Sequence, residues 1–277
     1  MAITTLDGLV SALGNNTSRI VIDKASLANT VAGQFVSLWR STGQPGQGAI
    51  PTTAAIPTSA LLGTIGFTNQ VAPADSYLAY LFLTGSNSAM AFEIHDRVAH
   101  MGGLVLNNTG AQAVAGLNLG TLGLVADRRG DANYSDIQWW LEVYADGGAT
   151  ASNATITVTY NDDTSSTLNV QAVGGTLRTG RMLPLTPLIP TAQQGKFIKG
   201  ITNVTLSANT TVAGNFGFTA TRPRATVPIL LANKTEVFDW AQLGFPQVPN
   251  DSALTLVALV STTTTGTLRG GGKLAHG

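Results

Sequence analysis

The chain has 277 residues, enough for one large domain or two modest ones, and at that length about 75% of the unfolded surface can be buried without disulfide or metal staples. Fifteen basic side chains balance fifteen acidic ones and the pI is near 6.8, so no net field draws nucleic acid or an anionic membrane, and with no cysteine there is neither a disulfide framework, a thiolate zinc site nor a thiol nucleophile. Only 11% of residues are charged, against roughly 25% in an ordinary soluble domain, and the resulting Thr, Ser, Asn, Gln and Gly surface repels copies of itself weakly.

The opening MAITTLDGLVSAL has no basic n-region and no apolar stretch of leader length, which predicts no secretion signal, and the most apolar segment, 253–260, is far shorter than the ~20 residues of a membrane helix. Residues 4–14 carry Leu6, Leu9, Val10 and Leu13 at helical spacing behind two threonines suited to capping, with Gly14 as a stop, and predict a short amphipathic helix. RIVID at 19–23 and QFVSLWR at 34–40 read as strands.

From Ser41 to Ala74 there is no charged side chain, and four prolines with five glycines bar a long helix or a central strand. Two readings stand: a long surface loop, or an extended arm laid over a neighbouring subunit. Neutrality favours the arm, because docking would otherwise desolvate charge.

Beyond Asp75 strand follows strand. Residues 76–85 and 89–103, separated by Gly85-Ser86-Asn87-Ser88, predict a hairpin. Further strands are expected over 137–148, 153–163, 165–175, 181–189, 197–210, 213–223, 253–262 and 266–275, with reversals at Asp146-Gly147-Gly148, Asn161-Asp162-Asp163 and Gly174-Gly175. One further helix is expected over 235–244, capped by Thr235 and closed by Gly244. The pattern predicts an all-β fold: an antiparallel β-sandwich of jelly-roll type with an extended N-terminal arm and one or two short helices. The arm and first helix take residues 1–75 and the sandwich 76–277.

Catalytic signatures are missing. His95 and His100 are an odd number apart and point to opposite faces of a strand, which speaks against a shared metal, and His95-Asp96-Arg97 has no serine in a nucleophile elbow beside it. Asp96 and Arg97 are expected to form a strand-face ion pair. Only three glutamates exist, leaving Glu93 and Glu142 as the one pair to consider for a glycosidase. Asp162-Asp163 fits a turn better than a calcium loop, and no phosphate-binding glycine motif is present. The expectation is therefore no enzyme: no catalytic residue, no cofactor and no metal.

Adjacent Trp139 and Trp140 must diverge on a strand, one into the core and the other outward as an interface anchor or a ring for sugar stacking, with Tyr144 as a second such ring. Ten arginines against five lysines, with a pair at Arg128 and Arg129, also suit protein contact. Phe35, Trp39, Ile50, Ile56, Leu61, Leu62, Trp140, Arg128 and Arg129 are the expected interface residues.

Several phrases, FEIHDRVAHMGGL at 92–104, WWLEVYADGGATASNATITVTYNDDTSST at 139–167, RTGRMLPL at 178–185, NVTLSANTTVAGNFGFTATRP at 203–223 and DWAQLGFPQVPNDSALTLVAL at 239–259, resemble virion structural proteins of tailed bacteriophages over about two thirds of the chain. Within that class the chain is most similar to capsid decoration or cement proteins. The resemblance implies a place on the virion, on the capsid exterior. Its partners would be copies of itself as a trimer and the major capsid protein or other virion proteins, with no nucleic acid and no membrane. Tail, neck and baseplate proteins, or a glycan-binding receptor-recognition module, remain the alternatives. No active residue is carried across.

Overall fold

The computed structural model describes residues 2–173 and 177–277. The turn expected at Gly174-Gly175 lies outside them. Among the described residues three short α-helices, α1 (Leu6–Asn15), α2 (Ala126–Arg129) and α3 (Trp240–Leu243), and a few 3-10 turns accompany a mostly β chain. The first strands are β1 (Thr17–Lys24), β2 (Phe35–Ser37), β3 (Gly43–Gln44), β4 (Ser76–Gly85), β5 (Met90–Leu104) and β6 (Gln112–Ala113). Then follow β7 (Gln138–Ala145), β8 (Ser152–Tyr160), β9 (Ser165–Thr167), β10 (Gln171–Val173), β11 (Arg181–Pro184) and β12 (Ile198–Leu206). The last are β13 (Asn215–Ile229), β14 (Glu236–Asp239), β15 (Gln247–Val248), β16 (Leu254–Leu259) and β17 (Leu268–His276).

The chain divides into two units. One comprises Met1–Ala49, Thr58–Asp96 and Pro223–Gly277, the other Ile50–Pro57 and Arg97–Arg222. In the first unit one sheet has the order β14-β4-β17-β1-β3, and the other runs β2-β16-β5-β13. Successive strands β1 and β2, β4 and β5, β13 and β14, and β16 and β17 fall in different sheets. This alternation over eight strands is the connectivity of a jelly roll. Ile20, Ile22, Leu81 and Leu83 from one sheet share a buried cluster with Val36, Phe92, Ile94, Leu256 and Val227 from the other.

The second unit is a separate antiparallel sandwich. Residues of β5 from Arg97 onward and of β13 up to Arg222 join β7 and β11, while β10-β8-β12-β6, with β9 added to β8, forms the other sheet. Trp139, Leu141, Val143, Phe216 and Phe218 meet Ile156, Val158, Ile201 and Val204 in its core. β8 alternates cleanly, with Ala154, Ile156, Val158 and Tyr160 buried, and falls within the strand expected over 153–163 but for its first residue.

The single sandwich expected over 76–277 is thus corrected to two, the second inserted between the fourth and fifth jelly-roll strands, β5 and β13. The boundary expected at residue 75 is not observed, because β1 and β2 supply two of the eight jelly-roll strands. The expected hairpin of 76–103 is corrected too. Both strands exist, but β4 pairs with β17 and β14, and β5 with β16.

Local chemistry accounts for the other departures. Thr5 Oγ1 accepts the Gly8 N–H at 3.1 Å and starts α1 as expected. The strand at 34–40 stops at Ser37, whose hydroxyl accepts the Trp39 N–H at 3.2 Å and opens a 3-10 turn over Leu38–Arg40. The helix expected over 235–244 is half strand: Glu236–Asp239 pairs with β4, and α3 begins only where Asp239 forms a capping box with Gln242. Gly244 closes it at φ 74°.

Residues 41–74 are extended, and several of them pack on their own chain, as the surface-loop reading expects. Gly43 and Gln44 pair with Lys24 and Asp23, Ala55 bridges His100, and Ile65 bridges Leu254. Neutrality here suits burial within the chain: Ser41, Thr64 and Ile65 are buried.

Lys24 anchors the start of this segment. Its buried ammonium donates at 2.8 Å to the carbonyls of both Ser41 and Pro45, and burial lowers its pKa from 10.5 to about 8. Between these values only the unfolded chain holds the proton, so unfolding takes one up and stability rises with pH. We expect a gain on the order of 2 kcal/mol between pH 8 and pH 10.5, measured by urea unfolding. Lys24→Met should be flat across that window; an unchanged slope in the variant would refute the assignment.

Candidate assembly surface

The residues weighed for a catalytic role are held in hydrogen bonds and ion pairs. In the second unit the Arg97 guanidinium forms a buried ion pair with Glu142 and donates to the Tyr144 hydroxyl at 2.8 Å and to Thr219 Oγ1 at 2.9 Å. Thr219 also donates to Glu142, and Arg97 Nε donates to His100 Nδ1 at 3.1 Å. Burial, with the Arg97 charge beside it, drives the His100 pKa down to about 2, so the ring stays a neutral acceptor. Tyr144 is pushed up by burial.

The expected Asp96–Arg97 ion pair is therefore corrected: Arg97 takes Glu142. In the first unit Asp96 accepts the Ser252 hydroxyl and the Ala253 N–H, each at 2.9 Å, and pairs with Arg224 at 3.3 Å. Glu93 binds His95 Nε2 at 2.6 Å. Each carboxylate of the pair considered for glycoside hydrolysis thus has its own cationic or imidazole partner. Asp162 binds Lys196 and accepts from Thr164, as a turn residue does. Among the described residues no three His, Asp or Glu side chains gather in a metal-binding arrangement.

Most of the expected interface residues face inward. Trp39 is buried, its indole N–H donating to the Ala49 carbonyl at 2.7 Å. Trp140 is buried with its N–H on Thr221 Oγ1 at 2.8 Å, and Tyr144 is buried in the Arg97 network, so neither ring is open to a partner or a sugar. Arg128 is buried and donates to the carbonyls of Pro57 and Arg97 at 2.9 Å. These expectations are corrected: adjacent strand residues do diverge, but both faces around Trp139 and Trp140 are covered. Phe35, Ile50, Ile56 and Arg129 are half-buried, and the Arg129 guanidinium lies 5.7 Å from the Tyr134 ring. Leu61 and Leu62 alone of the nine are exposed.

The surface that the sequence reading missed is the outer face of β14-β4-β17-β1. Strand register aligns Val237 with Phe82, Phe82 with Gly271 and Gly271 with Val21. Val237 is 51% and Val21 49% exposed. A Cβ on Gly271 would sit 3.3 Å from the Phe82 ring, so the missing side chain lets that ring lie close to β17.

This apolar row is bordered by polar ones. On one side register aligns Asp239, Tyr80, Lys273 and Arg19, and on the other Thr84, Arg269, Asp23 and Gln44, with Arg269 bound to Asp23 at 3.2 Å. At one end of the face α1 packs Leu9 and Ala12 onto Ala79 and Ala275. Between α1 and α3 the same face holds a recess of about 290 Å³ lined by Leu13, Ala79, Tyr80, Asp239, Trp240 and Lys273. An apolar centre with a rim of both charge signs is the anatomy of a protein interface.

Two sequence signals pointed here. Three consecutive apolar residues, Ile20, Val21 and Ile22, cannot all face one core from a strand, and Gly270-Gly271-Gly272 within a strand marks close approach.

No family model and no curated protein matches the chain. Among solved structures, the infectious bursal disease virus Gt strain is 10% identical, covering 94% of this chain and 80% of that chain at a TM-score of 0.18. The VP2 subviral particle of the same virus is 11% identical with the same coverage at 0.19. Likeness at that level carries no argument about this chain.

Proposed function

We propose that this protein is a structural component of a virus particle, built to associate with copies of itself and with other virion proteins. The observation that carries the reading is the exposed apolar row on the outer jelly-roll sheet of a chain with only 11% charged residues. Eight-strand jelly rolls recur in viral shells, an analogy of fold that adds to the phage-like phrases without replacing a site. In the finer form of the proposal the protein is a cement or decoration protein on the capsid exterior of a tailed phage, trimeric, with no enzymatic turnover, nucleic acid or membrane in its role.

A second reading, favoured by the insertion of a whole sandwich into the jelly roll, is a subunit that forms the shell itself. Expression of the chain alone separates the two: closed particles in electron micrographs mark a shell subunit, and small oligomers that add to purified capsids and raise their melting temperature mark a cement protein. A protein that stays monomeric at high concentration and binds no virion part would overturn both. The two rings considered for sugar stacking, Trp140 and Tyr144, are buried.

A further inference from the structure

We infer that the outer face of β14-β4-β17-β1 is a two-fold interface that pairs this chain with a second copy, sheet against sheet and with strands antiparallel. The inference rests on the self-association proposed above, takes a two-fold pair in place of the trimer of its finer form, and names the surface.

A two-fold axis lying in the interface, perpendicular to the strands and through the apolar row, sets that row against itself. Val21 then faces Val21 of the other copy, Val237 faces Val237, and the Phe82 rings meet near the axis. The same rotation exchanges the bordering rows, so Arg19 of one copy faces Asp23 of the other, twice per dimer. Lys273 is brought toward Arg269 of the other copy, where Asp23, already bonded to that Arg269 at 3.2 Å, supplies the compensating charge.

Helix α1 selects this rotation over the alternative. Packed sheets lie about 10 Å apart, and a helix with its side chains is about 10 Å thick. Because α1 lies across one end of the face, an axis parallel to the strands would drive the two α1 helices into the same space. The perpendicular axis sends them to opposite ends, each just past the strand ends of the other copy at Lys24 and Gly85. The exposed side chains Leu6 and Val10 of α1, both more than 60% accessible, then have a neighbour to cover them.

The absence of native cysteine gives a clean test. Val21→Cys, treated with a short bis-maleimide, should yield covalent dimer, because residue 21 faces its own counterpart; Thr84→Cys, which faces Tyr80 of the other copy, should yield much less. In sedimentation equilibrium Val21→Glu/Val237→Glu should raise the dimer dissociation constant by about 100-fold, through two buried like-charge contacts. Both valines are exposed in the single chain, so its folding is expected to survive. Arg19→Asp should weaken association, and Arg19→Lys, which keeps the charge opposite Asp23, should largely preserve it.

Unchanged association of the double-glutamate variant would overturn this face and leave self-association intact. A wild-type protein that is monomeric but binds capsids would overturn the two-fold pairing and leave the virion role. A monomer that binds nothing would end both.

Discussion

Glu142→Gln should cost the second unit about 3–5 kcal/mol, the largest effect expected of any single polar replacement in the chain. The carboxylate is fully buried, and it is the group that compensates the equally buried Arg97 guanidinium. Tyr144, Thr219 and His100 satisfy other positions around the pair, but none of them is an anion: the Tyr144 phenol stays protonated and His100 accepts as a neutral ring. The substituted amide would keep the shape and leave an uncompensated charge in the core. Arg97→Met should cost a similar amount by stranding Glu142. The double variant Arg97→Met/Glu142→Leu should be less damaging than either single change, since removing both charges removes the desolvation penalty together with the attraction. Urea unfolding checks this, because Trp139 and Trp140 report on the second unit and Trp39 and Trp240 on the first. Additive losses in the double variant would mean that Arg97 and Glu142 do not act as a pair.

This network also shows where sequence reading stopped. Register along a strand was legible: β8, β12 and β16 lie close to where periodicity put them, and Thr5 and Gly244 do the capping and closing expected of them. Pairing between distant strands was not legible, because nothing in residues 76–103 says that β4 will choose β17, far along the chain, in preference to β5 just after the turn. The glycine run of β17 lets it lie close against β4, and that preference is tertiary.

The candidate site was misread for the same reason. Trp39, Trp140 and Arg128 have the composition of interface anchors, and composition cannot tell a partner's pocket from one in the same chain. Each found an internal acceptor: the carbonyl of Ala49, the hydroxyl of Thr221, and the carbonyls of Pro57 and Arg97. Val21, Phe82 and Val237 looked like ordinary strand residues until register placed them in one row. A chain poor in charge still points to contact, but the surface proposed for it is a sheet face, and Ser41, Thr64 and Ile65 of the neutral segment pack internally.

Trp39 carries the second large prediction, because it decides between the two readings of residues 41–74. Its ring lies in a slot whose walls are glycines: a Cβ on Gly48 would fall 2.1 Å from Cε2, and one on Gly63 2.6 Å from Cε3. The slot is tied by the Gly48 N–H on the Trp39 carbonyl at 2.8 Å and the indole N–H on Ala49 at 2.7 Å. Trp39→Ala should therefore cost about 3–5 kcal/mol. Gly48→Val should do comparable damage by forcing the ring out. Both should make residues 41–66 far more sensitive to limited proteolysis in dilute protein, while the wild type resists at concentrations where it is monomeric. If the segment were instead an arm ordered only by a neighbouring subunit, the dilute wild type would be cut as readily as the variants. Protection would then rise with concentration, and the internal slot would be refuted.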